Sequence, residues 1–469
     1  MKVTTFSALP PSPSRSISNS VGTRGGDSPS PSLAPRNSAP RGYPRRGKGL
    51  GDGCRKRRQR GGVMVQALVV IAVLTALMAS TAATQRVRLS GVQYNLRERR
   101  AEAAARSAVQ LALATLADAD PNKIMLADDW ALLGASGAEK LTLDDATSYR
   151  LEIVDCASLV NVNTATQAQL DLLPLTTQQR DSLLDWRETA TTSTRTDGAK
   201  DEFYNALTTP YHTALKALKT RSELLLIQGW TPDALFNSEP QEASDTGVAQ
   251  PTDIDGNQLP LMSVLTVDSG VSNVRADGTG RVNVNSPTPN PGVWAQFGIV
   301  GQQAAIVAAG GPYTSFGSLL GRPGVSQNAA TQLLDGASFS ADDRLQGRIN
   351  INTAPAPVLE TVPGITAEIA QSIVGQQATG FESLGALATT VTTLTGTALG
   401  QAADFLCVGS DRFLVRAWGE SGGEGVGFEA TIQLDADGAR VITLERLTNP
   451  APPSWWNWTD ETTTTESPA

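Results

Sequence analysis

Histidine is almost absent from the sequence: 469 residues hold one, His212, together with three cysteines, Cys54, Cys156 and Cys407. A single imidazole excludes metal centres that need two or more, and leaves one candidate for a histidine-based catalytic dyad. Three thiols cannot complete a four-cysteine zinc site or a disulfide-dense small fold, so stability has to come from packing. No nucleophile elbow, H-E-x-x-H pair or Walker loop is expected in this chain, which is therefore read as not an enzyme.

Charge is unevenly placed. Residues 1–62 hold 13 Lys and Arg against Asp27 and Asp52, whereas the rest of the chain carries a net charge of -19. The first 50 residues are rich in Pro, Ser, Gly and Arg without apolar periodicity, and read as a disordered leader. They end in Arg55, Lys56, Arg57, Arg58 and Arg60, then Gly61 and Gly62. Val63 to Ala83 follow with no charge at all; as a helix these residues would span roughly 31 Å, the thickness of a bilayer's hydrocarbon core. The basic cluster should remain cytoplasmic and send the acidic remainder across the membrane. From Thr84 to Ala117 the only helix breaker is Gly91. Leu89, Val92 and Leu96, then Val109, Leu113 and Leu116, form an apolar stripe that continues the helix as an amphipathic one.

Basic residues, a Gly pair, an uncharged run and a continuing helix resemble the type IV pilin and pseudopilin class. The resemblance implies that a prepilin peptidase cuts the leader between Gly62 and Val63. The fifth residue of the mature chain is then Ala67, where most of that class carry Glu; a cut after Gly61 puts Gln66 there instead. A carboxylate in lipid costs roughly 2.5–3.5 kcal/mol unless a neighbour's amine pairs with it. Its absence resembles the K-type minor pseudopilin of type II secretion (general secretion pathway protein K), which that family assigns to the filament tip. The series Leu159 to Thr164, Leu170, Leu172, Leu173, Leu183 to Trp186, Gly198 to Tyr204, Pro210-Tyr211 and Ser222 to Leu224 resembles the K family throughout. Trp186, Tyr204 and Tyr211 are read as core aromatics.

Val160 to Thr164 (VNVNT) recurs as Val282 to Ser286 (VNVNS) and Ile349 to Thr353 (ININT), each followed by a turn and helix-forming residues. The resemblance implies two such strands, so the third is a departure. The last copy continues into a segment resembling a helix-hairpin-helix unit, with its turn at Pro363, Gly364 and Ile365. Pro fixes one backbone angle and Gly permits a positive one. Such hairpins can hold phosphate at a helix N-terminus, which gives a membrane-anchored extracytoplasmic DNA receptor as the alternative function. Residues 349–387 contain no Lys or Arg but include Glu360, Glu368 and Glu382; without cations to displace counterions, nucleic acid is not expected as a partner.

Cys156 and Cys407 admit one disulfide or two separate buried thiols. No cofactor is read from the residues. Calcium is implied by the family resemblance without assignable ligands, and Asp253 to Asn257 is read as a solvated turn. Tyr149 to Val154, Arg412 to Trp418, Gly427 to Leu434 and Arg440 to Leu447 read as antiparallel strands. Trp455, Trp456 and Trp458 should dock either on a partner or on the chain's own surface.

The expected fold is α+β and pilin-like: a long N-terminal transmembrane helix packed on a small antiparallel sheet, with an inserted helical domain. The boundaries are a leader at 1–62, the helix at 63–120, the start of the α+β domain at 121–158 and the inserted domain at 159–236. A linker at 237–280, the repeated region at 281–405, strands at 406–448 and a disordered tail at 449–469 complete the chain. The resemblance implies a tip subunit of the pseudopilus, in the bacterial inner membrane with its main domain periplasmic. Its partners would be the I-type and J-type minor pseudopilins and the prepilin peptidase.

Overall fold

The computed structural model describes residues 62–239, 244–253, 255–285, 291–447 and 449–458. The leader up to Gly61 and the last eleven residues of the tail lie outside the described residues. The chain divides into two compact units, one ending at Ala76 and the other beginning at Leu77.

Helix α1, Gly62–Ala117, is 56 residues long. Gly91 does not interrupt it, and it stops four residues short of Pro121. Its buried residues are mostly small: Ala101, Ala104, Ala105, Ala108, Val109, Ala112 and Leu116. The apolar stripe expected from the sequence is thus divided. Val109, Leu113 and Leu116 join the core, whereas Leu89, Val92 and Leu96 are exposed.

After α2 (Asp129–Leu132) comes a hairpin of β1 (Leu141–Asp144) and β2 (Thr147–Asp155). The chain then enters a largely helical body with one apolar core running from Val160 to Val408. Three units share this body. In the first, β3 (Val160–Asn161) pairs in parallel with β4 (Leu265–Thr266). Between them lie α3 (Gln167–Leu170), α4 (Thr177–Arg187), α5 (Asp201–Tyr204) and α6 (Pro232–Phe236). Strand β5 (Gly270–Ser272) leads into the second unit, in which β6 (Val282–Asn283) pairs in parallel with β7 (Ala337–Ser338) around α7 (Pro291–Trp294), α8 (Gly301–Ala309), α9 (Phe316–Leu320) and α10 (Gln327–Gly336). Strand β8 (Arg344–Gln346) returns antiparallel to β5. In the third unit β9 (Ile349–Asn350) pairs in parallel with β10 (Leu406–Cys407), around α11 (Ala356–Leu359), α12 (Ala367–Gln376), α13 (Ala386–Thr390) and α14 (Gly396–Ala403). Parallel strands need a crossover, and here each crossover is helical.

The chain returns in β11 (Arg412–Ser421), β12 (Glu424–Asp435) and β13 (Gly438–Leu447), which complete an antiparallel sheet of order β1-β2-β11-β12-β13. Phe428, Ala430, Ile432 and Leu434 alternate along β12 and pack in one cluster with Phe413, Val415, Ala417 and the α1 alanines. Small residues allow the backbones to approach: a Cβ at Gly419 would stand 2.0 Å from the Ala101 carbonyl oxygen.

Two expectations need correction. The span read as a linker, 237–280, contains β4 and β5, and Val264, Leu265 and Val271 are buried. These strands are two and three residues long, too short for alternation to reveal them, and long-range pairing creates them, parallel to β3 for β4 and antiparallel to β8 for β5. The tail read as disordered from 449 is packed at Trp456, which is 2% exposed.

Candidate functional site

Three regions carry functional interest: the N-terminal helix, the repeated asparagines, and the junction between inserted body and sheet. Gly62 is the first residue of α1 and Val63 the second. The large side chains from Val63 to Met78 are exposed, and α1 is long and apolar enough to cross a membrane. Ala67 lies within this stretch, so no carboxylate occupies the position five residues from the Gly62–Val63 bond.

The repeated Asn residues are structural clamps. In each pair the first Asn closes an Asx turn: Asn161 Oδ1 accepts from the Asn163 N–H at 3.0 Å, Asn283 from Asn285 at 2.9 Å and Asn350 from Asn352 at 3.0 Å. The second Asn grips the backbone of one distant residue with both ends of its amide. Asn163 holds Leu218 at 2.8 and 2.8 Å, Asn285 holds Tyr313 at 2.8 and 2.6 Å, and Asn352 holds Phe381 at 2.6 and 3.0 Å. A side-chain amide carries both a donor and an acceptor, so it can satisfy the N–H and C=O of one residue together. A second brace recurs in two units. Arg187 donates to the carbonyls of Val162 and Ala165, and Gln377 donates to those of Ile351 and Ala354.

The turn at Pro363, Gly364 and Ile365 joins α11 to α12, with Gly364 at φ +89° and Ile365 buried. Thr366 then caps α12 by accepting from the Ile369 N–H. Burial and the neighbouring Glu368 carboxylate raise the Glu360 pKa, so what lies near this helix pair is acidic. The expected core aromatics are core: Trp186 and Tyr204 are buried edge to face with centroids 5.2 Å apart, and Tyr211 packs on both.

Charged groups join the inserted body to the sheet. Asp155, at the end of β2, accepts from Asn350 Nδ2 at 3.0 Å and Thr353 Oγ1 at 2.7 Å, and burial raises its pKa in spite of these bonds. Arg221 of the first unit grips Glu429 of β12 at 2.9 and 3.0 Å, while Arg416 reaches Glu152 at 3.0 Å. Both carboxylates also receive the tail: Trp456 donates its indole N–H to Glu429 at 3.0 Å and Trp458 to Glu152 at 2.9 Å. Trp455 lies on Phe236 with centroids 4.4 Å apart. Of the two dockings open to these aromatics, the chain's own surface is the one present.

Gly419 to Gly423 spells G-x-S-x-G, contrary to the expectation that no such elbow would be found. Its setting differs from a nucleophile's: Ser421 is buried at the end of β11, 3.1 Å from the Thr147 hydroxyl, in an antiparallel hairpin instead of a strand-to-helix turn. His212 faces Asp201 at 2.9 Å and is largely exposed.

Cys156 and Cys407 are both buried and free in the structure. Burial lifts the Cys156 pKa to about 12 and raises that of Cys407 as well. The calcium implied by resemblance finds no assignable ligand set among the described residues. Among the described residues no group of three or more His, Cys, Asp or Glu could hold a metal ion. Asp253 already accepts from the Asp255 and Asn257 backbone and from Asn257 Nδ2. Asp185 and Glu188, side by side at the end of α4, share Arg195 at 2.7, 2.8 and 2.5 Å, and Lys200 donates to their two carbonyls.

Sequence reasoning missed Asp335 and Asp404, which stand in corresponding places two residues before β7 and β10. Their distances from the Asn repeats differ by two residues, so the correspondence shows only once the return strands β7 and β10 are known.

Two family models described as type II secretion system (T2SS), protein K, match the chain, one over residues 161–240 and the other over 349–404. The chain belongs to the type II secretion protein K family. It is a pseudopilin component of type II secretion, in keeping with its long apolar N-terminal helix. The protein K segments begin at Asn161, the first Asn of the first clamp, and at Ile349, the start of β9. The second unit lies between them. A solved structure similar to the chain is titled the crystal structure of the GspK-GspI-GspJ complex from the enterotoxigenic Escherichia coli type 2 secretion system. The match has 14% identity and a TM-score of 0.34, and covers 79% of this chain and 100% of that one. No curated protein matches the chain.

Proposed function

We propose that this protein K subunit sits at the tip of the type II pseudopilus, where it initiates or caps filament assembly with I-type and J-type minor pseudopilins and performs no catalysis. The observation that carries this reading is Ala67. Within a filament, a buried Glu near the helix start needs an amine from the next subunit, whereas a terminal subunit has no neighbour above it to provide one. A subunit with Ala at that place can end the row at no electrostatic cost. Protein K membership agrees with this role, and the titled complex contains GspI and GspJ. The large inserted body would obstruct addition of a further subunit above it.

In this reading a prepilin peptidase cleaves between Gly62 and Val63. Arg55 to Arg60 hold the leader in the cytoplasm, and α1 crosses the inner membrane once with the acidic body in the periplasm. Mass spectrometry of the mature chain tests the processing: a first residue of Val63 is expected, and an intact Met1 in a secreting cell would refute it. Co-purification tests the assembly. The mature subunit should retain I-type and J-type pseudopilins together and show no salt-sensitive retardation of DNA; labelling along the whole shaft would remove the tip assignment.

A further inference from the structure

The contacts between the second and third units come in matching pairs. Gly317 and Gly385 correspond, each lying four residues after the clamped Tyr313 or Phe381. Asp335 and Asp404 correspond, each two residues before the return strand of its unit. Asp404, from the third unit, accepts the N–H groups of Phe316 and Gly317 at 2.7 and 3.1 Å, at the start of α9 in the second unit. Asp335, from the second, accepts the Gly385 N–H at 2.5 Å, just ahead of α13 in the third. Each unit therefore supplies a carboxylate to the unsatisfied backbone donors of the other's short helix.

Packing repeats the exchange: α9 lies on α14, and α13 lies on α10. The approach is close at equivalent points. A Cβ at Gly400 would stand 2.4 Å from the Phe316 carbonyl oxygen, and a Cβ at Gly385 would stand 2.4 Å from the Thr331 carbonyl oxygen. Thr331 and Gly400 are themselves equivalent, each four residues before its Asp. The contact has the self-complementary character of a two-fold interface, in which residue i of one copy meets residue j of the other and the reverse. Among the described residues the first unit shows no such reciprocal pair. Its Arg221 turns instead to Glu429 on the sheet.

The second unit joins the rest through a narrow root. Ser272 pairs with Arg344 in the β5–β8 ladder, and the Asn273 N–H donates to the Asp343 carbonyl at 2.8 Å. The chain thus leaves and re-enters at one place, and what holds the unit beyond that root includes the reciprocal face.

We propose that the third unit carries a docking face for a unit of its own kind, that the second unit is its resident occupant, and that the two fold as one cooperative pseudo-symmetric pair. Recognition at this face uses two carboxylates on backbone N–H groups and glycine-close helix contact, so the partner it fits is another such unit and not a charged ligand.

Amide hydrogen exchange on the full chain in detergent tests the pairing. Gly400→Val introduces a side chain against Phe316, and Asp335→Asn weakens the cap on α13 from the opposite side. Each variant should increase exchange in both α9 and α13 by tenfold or more, while α4 of the first unit stays as protected as before. Gly375→Ala, which meets nothing within 4 Å, is the control and should change neither helix. If Gly400→Val loosens only α9 and Asp335→Asn only α13, the helices are independent and the proposal fails. Should Gly400→Val disturb the whole body, Asp335→Asn still decides, because an effect on α9 cannot come from a cap that α9 does not touch.

Discussion

Asn352 and Phe381, 29 residues apart, are locked by one amide: the Phe381 N–H donates to Asn352 Oδ1 at 2.6 Å and Asn352 Nδ2 donates to the Phe381 carbonyl at 3.0 Å. Asn352 is fully buried. Its replacement by Ala strands two backbone groups away from water, each at a cost of about 1–3 kcal/mol. Asn352→Ala should therefore lose about 2–6 kcal/mol, measured by chemical unfolding. Asn163→Ala, whose clamp is less buried, should lose less; equal losses would mean that burial does not set the strength of these clamps.

Glu429 gives the fold a pH dependence of known sign. Burial alone would raise its pKa, but Arg221 and Arg416, with hydrogen bonds from Arg221 and Trp456, hold it below the usual value. A carboxyl whose folded pKa is depressed stabilises the fold above its unfolded pKa of about 4.3, and that contribution disappears as the pH falls through the folded value. Asp155 acts oppositely, since its raised pKa makes protonation favour the folded state. The stability difference between wild type and Glu429→Gln should consequently shrink between about pH 5 and pH 3. A difference that is flat across this range would show that Glu429 is not held ionised by its arginines.

The tail acts as a strap. Trp456 is buried on the sheet, and Trp455 reaches Phe236 in the first unit. Truncating a buried Trp to Ala typically costs about 3–5 kcal/mol, and here it also removes a donor from Glu429. Trp456→Ala should lower stability by that order and speed proteolysis near residue 236. Unchanged cleavage with lowered stability would mean that the tail supports the sheet alone.

Much of this architecture was readable from local chemistry. The uncharged run of Val63 to Ala83 fixes a helix through length alone, and Phe428, Ala430, Ile432 and Leu434 alternate as a half-buried strand must. The three Asn pairs were visible as a repeat, yet what they grip was not, because Leu218, Tyr313 and Phe381 carry no side-chain mark of being held by their backbones. Strands β4 and β5 were hidden in an apparent linker because two or three residues have no period. The exposure of Leu89, Val92 and Leu96 shows the converse failure: a helical stripe records that a face is apolar without telling what covers it.

Cys156 and Cys407 should behave as inert thiols. Burial raises both pKa values, that of Cys156 to about 12, and a buried thiol held above the ambient pH is neither ionised nor accessible. A thiol reagent at pH 8 should label neither Cys156 nor Cys407 in the native protein and both after denaturation, and reductant should leave the unfolding midpoint unchanged. Recovery of a peptide linking the two cysteines from non-reduced native protein would contradict this.

The lobe after α4 is held by internal cations. Asp185 is 1% exposed, and Arg195 joins it to Glu188 while Lys200 covers their carbonyls. Hydrogen bonding to Glu188 raises the Arg195 pKa, so the guanidinium stays charged at any working pH. Removing one partner of a buried ion pair leaves an uncompensated charge and typically costs about 3–5 kcal/mol. Arg195→Ala should lose stability of that order. Because these carboxylates share the Arg195 guanidinium, a calcium chelator should not shift the melting temperature of the wild-type protein. Arg195→Ala offers the sharper comparison: with the guanidinium gone, Asp185 and Glu188 keep only the Lys200 charge beside them, and added calcium should restore part of the lost stability. A wild-type protein that melts earlier on chelation would show that a metal, and not Arg195 with Lys200, holds this lobe in place.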